Sequence, residues 1–358
     1  MKVIHVISDL RTGGAEIMCE ALTYELIKNN IEVIVISLYD CDTPITKRFI
    51  DAGVKVEFLG KKPGMDLSII KKICKIFKRE KPDVVHSHIS AQKYAMIAAW
   101  LSRVPLRVHT VHSVADKELS RVDRFLAKIF YKRHNVVPVA LSSRVQDTVT
   151  ELYKLSPDKV PVIFNGINLS NCIKKESYDI SNTVKILHIG SFSEVKNHKG
   201  LIDAFKIFHA TVPNSKLSLI GHGVLFDEIK QYVCNCGLED CVEFLGIQAN
   251  VYPFINEADI FVLPSLYEGI PMTLIEAMGS GMPIVASNVG GIPDMLVNEE
   301  SAILTEVDSQ AVADAFIRLS QDISLREKLG HNALACSENF SSEIMARKYI
   351  EIYELKEI

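Results

Sequence analysis

Short continuous apolar runs alternate along this chain with longer stretches of helical period. The runs at residues 2–7, 32–38, 54–59, 84–87, 107–111 and 136–141 read as strands of a first half. Those at 184–189, 216–220, 242–245, 259–263 and 283–287 read as strands of a second. Runs without polar alternation suit strands covered on both faces, as in a parallel sheet. Most are separated by amphipathic segments such as AEIMCEALTYELIKN after the first strand. This order predicts an α/β chain with two mainly parallel, helix-covered sheets. The polar segment from Asn168 to Thr183 has no apolar period and reads as the linker. The expected domains are therefore 1–168 and 169–340, with a last helix within 341–358 packing back across the first. Ligand is expected in the cleft between the two.

Composition supports two domains. A chain of 358 residues with 48% hydrophobic content is long for one compact domain and natural for two. No apolar run approaches the ~20 residues that cross a bilayer, and MKVIHVISDL is too short in its apolar part for a secretion signal. The expected location is cytoplasmic. Eight cysteines are present, and the tightest group, Cys234, Cys236 and Cys241, matches no ligand spacing. They are expected as reduced structural thiols, with no metal site.

Charge divides near the proposed linker. Through Asn168 there are 26 Lys plus Arg against 18 Asp plus Glu, net +8; the remainder carries 14 against 26, net −12. Much of the positive charge lies in DLSIIKKICKIFKRE from Asp66 and RVDRFLAKIFYKRH from Arg121. Two readings stay open: the apolar residues face the domain's own core, or the helices lie on an anionic membrane surface. Nucleic acid is not an expected partner, because no binding motif accompanies the charge and the pI is near 6.3.

The most informative chemistry lies in PSLYEGIPMTLIEAMGSGMPIVAS, from Pro264 to Ser287. Glu268 and Glu276 stand eight residues apart across a turn that enters a short helix between two strands. Pro271 suits the helix start, which directs the amides of Met272 and Thr273 toward the carboxyl end of the sheet. Neither acid has a basic neighbour in sequence, and an acid in an apolar setting needs hydrogen-bond donors. Sugar and ribose hydroxyls are suitable donors. In the first half, Gly13-Gly14 joins the first strand to a helix, so backbone can approach a ligand there. It is not the Gly-x-Gly-x-x-Gly of dinucleotide enzymes. His112 stands at the end of a strand, and His109 points to the other face of the same strand.

Together these segments closely resemble the signature of the retaining GT-B glycosyltransferases of family 4. The resemblance rests on Gly13-Gly14-Ala15-Glu16, VHTVHSV around His112, IFNGIN around Asn165, IGSFSEVKNHKGL from Ile189, LIGHG from Leu219, and the Glu268 to Glu276 element. It implies a GT-B fold of two Rossmann-like domains, an N-terminal one for the acceptor and a C-terminal one for the nucleotide-sugar. It also implies that Glu276 binds ribose hydroxyls, that Glu268, Gly269, Ile270, Met272 and Thr273 hold the sugar, and that Lys196, Gly13 and Gly14 meet the diphosphate. His112 is implied near the transferred sugar. FNGIN is expected to be a hinge. The family pattern has an Arg where this chain has Ser191, so Lys196 needs help from the Ser191 hydroxyl, His198, backbone donors or Arg11. No metal and no cofactor is implied; the donor, expected to be a UDP-sugar with GDP left open, is a substrate. The acceptor implied is a glycan or lipid-linked glycan of bacterial exopolysaccharide, capsule or lipopolysaccharide synthesis, handled at the inner membrane face. The rival reading is a non-catalytic nucleotide-sugar-binding partner of a glycan assembly complex.

Overall fold

Twelve strands fold into two sheets in the structure, a computed structural model that describes residues 1–11, 13–112 and 120–355. In the first sheet are β1 (Lys2–Ile7), β2 (Glu32–Ser37), β3 (Lys55–Phe58), β4 (Val84–His88), β5 (Leu106–Val111) and β6 (Val136–Ala140). In the second are β7 (Val184–Ile189), β8 (Ser215–Ile220), β9 (Val242–Gly246), β10 (Ile260–Leu263), β11 (Ile284–Ser287) and β12 (Ile303–Thr305). All strand pairings in both sheets are parallel. Eleven of the strands fall where the apolar runs predict them. The twelfth, β12, is three residues long and gains its identity only by pairing with β11.

The sheet orders are β3-β2-β1-β4-β5-β6 and β12-β11-β10-β7-β8-β9. Counted from its own first strand, the second sheet repeats the order of the first. In each, the chain winds one way from the first strand and returns to wind the other way from the fourth. The strand order therefore reverses between β1 and β4, and again between β7 and β10. Loops leaving the carboxyl ends of those strands diverge there and open a crevice, which is where doubly wound sheets take ligands. β4 and β10 are buried along their whole length, which fits their apolar or hydrogen-bonded side chains.

The chain divides into two compact units, one of Met1–Gly166 with Ser342–Ile358 and the other of Ile167–Ser341. The segment expected as a linker instead packs onto the second unit. Tyr178 is buried and donates its hydroxyl to the Gly281 carbonyl at 2.8 Å, and the Lys175 amide donates to Ser280 O at 3.0 Å. Single anchors of this kind hold it in place of a regular apolar face, which is why it shows no period. The helix Ser342–Tyr353 joins the first unit. Its Met345, Ala346, Tyr349 and Ile352 share a core with Met18, Leu22 and Leu26 of the helix Gly14–Lys28. The Ser342 hydroxyl donates to Glu25 Oε1 at 2.9 Å.

Candidate active site

In the second unit, the loops after β7 and β10 are tied to each other across the crevice. Asn197 adopts the left-handed conformation (φ 53°) and caps the helix His198–Thr211, its side chain accepting from the Gly200 amide at 3.3 Å. Asparagine tolerates that backbone and caps well. Its side-chain amide donates to Pro264 O at 3.1 Å, and the Leu266 amide donates to Val195 O at 2.8 Å. Lys196 is thereby fixed beside the segment that carries Glu268. Its Nζ lies 2.5 Å from Glu268 Oε1, which also accepts from Ser265 Oγ at 2.6 Å. Both side chains are largely buried. Glu268 has no basic neighbour in sequence; its cationic partner comes from 72 residues away, beyond any local reading.

Two glycines allow this loop packing. Gly290, after β11, has φ +59°, and a Cβ there would collide with the Glu268 carbonyl oxygen. The Gly291 amide donates to that same oxygen at 3.2 Å. The Gly290-Gly291 pair escapes local sequence reasoning; two adjacent glycines beginning three residues after the end of a predicted strand are the available signal. Gly221 of the LIGHG segment has φ +136°, and a side chain there would strike the Gly190 carbonyl oxygen. It holds the floor under Ser191, which is exposed and has its hydroxyl 3.3 Å from Ser193 Oγ.

Pro271 is the N-cap of the helix Met272–Gly279, just before its first turn, and no side chain caps that end. Hydrogen bonding back to Pro271 O begins with Leu274 and Ile275, so the Met272 and Thr273 amides precede the ladder. Gly269 and Ile270 lead into it, Ile270 and Met272 being buried. Thr273 Oγ1 is buried and unpartnered. Glu276 lies one turn further along, and among the described residues no cation pairs with it. Desolvation pushes its carboxyl up to about 7, as expected for an acid held in apolar surroundings. Thus Ser191, Lys196, Glu268, Gly269, Ile270, Met272, Thr273 and Glu276 all gather at the carboxyl edge of one sheet.

His198 does not supply the missing cation. It is buried, its ring stacks on Phe192 with centroids 4.0 Å apart, and burial lowers its pKa to about 4, the Lys196 charge adding to the effect. As the first residue of its helix it turns into the core, so it is neutral where a diphosphate would need charge.

In the first unit, Gly13 caps the helix that starts at Gly14, with extended backbone and no side-chain cap. The Glu16 carboxylate folds back over Gly13, and burial, with Asp9 adding to it, raises its pKa to about 7. Arg11 is exposed. His112 follows β5 and is half-buried; the Ser113 and Val114 of its motif lie outside the described residues. His109 is buried on the other face of β5 and bonds to Ser87 Oγ at 2.9 Å. Asn165 is buried just before the chain passes to the second unit.

Histidines not weighed from the sequence surround His112. His5 Nδ1 lies 3.0 Å from His88 Nε2, and His88 Nδ1 lies 3.3 Å from His112 Nε2. His86 bonds through Nδ1 to the Tyr353 hydroxyl at 2.6 Å and through Nε2 to Thr110 Oγ1 at 2.7 Å. Burial holds His5 at about 3 and keeps His86 and His88 well below the ordinary imidazole range, so all three rings are neutral. Among the described residues, His5, His86 and His88 have nitrogens close enough to share a metal ion. Both His86 nitrogens are already engaged, so the trio reads as a hydrogen-bonded network. The signal for it was His-Ser-His at alternate positions of β4 beside His5 of β1.

The basic segments divide in character. On the helix Ser68–Glu80, Ile69, Ile73, Ile76 and Phe77 are buried and Lys71, Lys72, Lys75 and Lys78 are exposed. On Arg121–Arg133, Ala127, Phe130 and Tyr131 are buried, while Val122 and Phe125 are 63% and 66% exposed among Arg121, Arg124 and Lys128. Met65 and Leu67, just before the first of these helices, are each 66% exposed. Among the described residues no helix is long and apolar enough to cross a membrane. All eight cysteines are free.

Two doubly wound sheets of the same strand order match the architecture of the GT-B glycosyltransferases. The profile "Glycosyltransferase Family 4" matches residues 12–171, and "Glycosyl transferases group 1" matches residues 173–335. The chain is 32% identical over 311 residues to N-acetyl-alpha-D-glucosaminyl L-malate synthase of Bacillus anthracis, covering 81% of this chain and 79% of the relative. It is 29% identical over 279 residues to the UDP-Gal:alpha-D-GlcNAc-diphosphoundecaprenol alpha-1,3-galactosyltransferase of Escherichia coli, covering 72% and 71%. Its fold is that of Anabaena HepE, solved in complex with UDP and glucose, at 21% identity with a TM-score of 0.87 over 99% of this chain and 100% of that one. The chain belongs to glycosyltransferase family 4 and is related to bacterial exopolysaccharide and capsule glycosyltransferases.

Proposed function

We propose that this chain is a retaining, metal-independent transferase that moves a sugar from a UDP-sugar onto a lipid-linked glycan at an anionic membrane surface. The observation that carries the donor half is the Lys196–Glu268 pair at the β7/β10 crevice, followed in the chain by an open helix start and a half-buried, desolvated Glu276. Glu276, unpaired and desolvated, gains most from hydroxyl donors, and the two ribose hydroxyls supply them. Glu268 and the amides from Gly269 to Thr273 take the sugar hydroxyls. Lys196, with the Ser191 hydroxyl, takes the diphosphate. The leaving diphosphate gains charge in the transition state, so a fixed cation in a water-poor crevice lowers that barrier preferentially. His112 makes a hydrogen bond near the transferred sugar. Retention of configuration and independence from metal ions follow from the family resemblance.

The choice of UDP is supported by the E. coli relative's name and by the UDP held in Anabaena HepE. A lipid-linked acceptor is supported by the same E. coli relative and by the exposed Met65, Leu67, Val122 and Phe125 among basic side chains. A second reading rests on the Bacillus anthracis relative, whose name specifies L-malate. On that reading the acceptor is a small carboxylic acid. Incubation with a panel of UDP- and GDP-sugars, with a polyprenyl-diphosphate sugar or L-malate as acceptor, tests both. Tight UDP binding with no turnover of any donor would favour the non-catalytic partner.

A further inference from the structure

Glu268 takes both of its side-chain contacts on a single carboxylate oxygen. Lys196 Nζ lies 2.5 Å from Oε1, and Ser265 Oγ donates to the same atom at 2.6 Å. A carboxylate oxygen has two lone pairs, so these two donors fill Oε1. Oε2 bonds to no described residue and is not sealed in the interior. A lysine ammonium carries three protons, and the pair uses one of them. Lys196 therefore keeps two for a second anion while it holds Glu268, and the ion pair need not break to receive a diphosphate.

The two donors differ in how firmly they are held. Lys196 reaches in from the loop after β7 on a flexible four-carbon stem. Ser265 is fully buried and belongs to the same turn as Glu268, three residues before it. The backbone on either side of Ser265 is tied down, Pro264 O by the Asn197 side-chain amide at 3.1 Å and the Leu266 amide by Val195 O at 2.8 Å. At the far end of the turn the Glu268 carbonyl accepts from the Gly291 amide at 3.2 Å. Ser265 is thus the fixed donor and Lys196 the adjustable one. Rotating the carboxylate about its last bond would carry Oε1 off both donors at once and leave the buried Ser265 hydroxyl without an acceptor, which is costly.

We infer that Ser265 is a positioning residue: it anchors Oε1 so that Glu268 offers Oε2, and Oε2 alone, to the donor sugar. A carboxylate paired with a lysine accepts and does not donate, so the site selects a sugar that brings an O–H or N–H to that oxygen. This step rests on the role proposed above for Glu268 in holding the sugar; the filling of Oε1 does not.

The test is a double-mutant cycle on the full chain, comparing the unmodified protein, Ser265→Ala, Glu268→Ala and the two together. Calorimetry gives the affinity for UDP and for UDP-glucose, UDP-galactose and UDP-N-acetylglucosamine, and the ratio of the best-bound UDP-sugar to UDP isolates the sugar. Ser265→Ala is expected to lower that ratio about tenfold, the lower end of what a hydrogen bond to a charged group contributes, and to leave UDP affinity within about twofold. In the Glu268→Ala background it should have no further effect. General loosening of the loop would weaken UDP as well, or would lower the ratio equally in both backgrounds, and either result overturns the inference. So does an unaltered ratio in Ser265→Ala when Glu268→Ala lowers it. If Glu268→Ala itself leaves the ratio unchanged, it is the assignment of Glu268 to the sugar that fails, and Ser265 loses its role with it.

Discussion

The two units share a strand order and present their candidate residues at the same edge, yet they furnish that edge with opposite chemistry. At the β7/β10 crevice the groups are ionic: a lysine locked on a glutamate, and a second acid pushed up to about 7 by desolvation alone. At the β1/β4 crevice they are imidazole rings in series, three of them kept uncharged by burial. A crevice that must receive a diphosphate and stabilise its departure needs a fixed charge. One that orients hydroxyls needs donors and acceptors of known direction, and uncharged imidazoles supply these with less desolvation cost than ions. The common scaffold accounts for where the groups sit, and the side chains account for the division of roles proposed above.

The sharpest way to break this comparison is to remove the charge from the ionic side. Lys196→Ala is expected to lower kcat about 10²–10³-fold, the scale seen when a transition-state charge partner is lost, in single-turnover assays with a UDP-sugar. A larger loss from His112→Ala than from Lys196→Ala would reverse the assignment of roles. Next in size, Glu276→Ala should weaken UDP about 10–100-fold by calorimetry, as for hydrogen bonds to a charged acceptor; unchanged affinity would remove the ribose assignment. Gly290→Ala strains a left-handed backbone and drives a methyl into the Glu268 carbonyl. A cost of about 1–3 kcal/mol for such a residue should lower Tm by roughly 3–10 °C for a unit of this size. An unaltered Tm would show that the loop repacks freely.

Smaller effects test the surroundings. Binding to anionic vesicles should fall with salt. It should weaken about fivefold for each of Lys71, Lys72, Lys75 and Lys78 changed singly to Gln, since each basic residue near such a surface contributes about 1 kcal/mol, and about tenfold for Phe125→Ser through the lost apolar burial. No vesicle binding at low salt would leave the basic helices as solvated faces. The smallest effect concerns stability. The Glu276 carboxyl is raised in the folded chain, so between the ordinary carboxylate pKa and about 7 the native state holds more protons than the unfolded one. Stability therefore falls with rising pH across that window and is level above it. Glu276→Gln should raise Tm at pH 8 by roughly 2–4 °C, allowing for partial exposure, and should not do so at pH 4.

Much of this architecture was legible in the sequence, because strands buried on both faces leave apolar runs that no other element explains as well. The short β12 was not, since three residues carry no period. The second candidate site was legible as a set of segments, but its central contact was not. Lys196 and Glu268 meet only through the Asn197 and Leu266 bonds that tie two loops together. The histidine chain escaped notice for a similar reason: His5, His88 and His112 lie on three strands or strand ends, and only the order β1-β4-β5 makes them neighbours. His198 misled because its place in the motif suggests a loop cation, while the helix it opens turns it inward.

The return of the helix Ser342–Tyr353 to the first unit has a consequence for biosynthesis. A nascent chain emerging from the ribosome can finish the second unit, whose residues run without a break from Ile167 to Ser341, before the first has all its parts. Until residues 342–353 arrive, the apolar face formed by Met18, Leu22 and Leu26 has no cover, and Tyr349 and Tyr353 have not yet reached the polar groups they hold. The half of the polypeptide made first is therefore the half completed last, and part of its apolar core stays uncovered for longer than its position near the start would suggest.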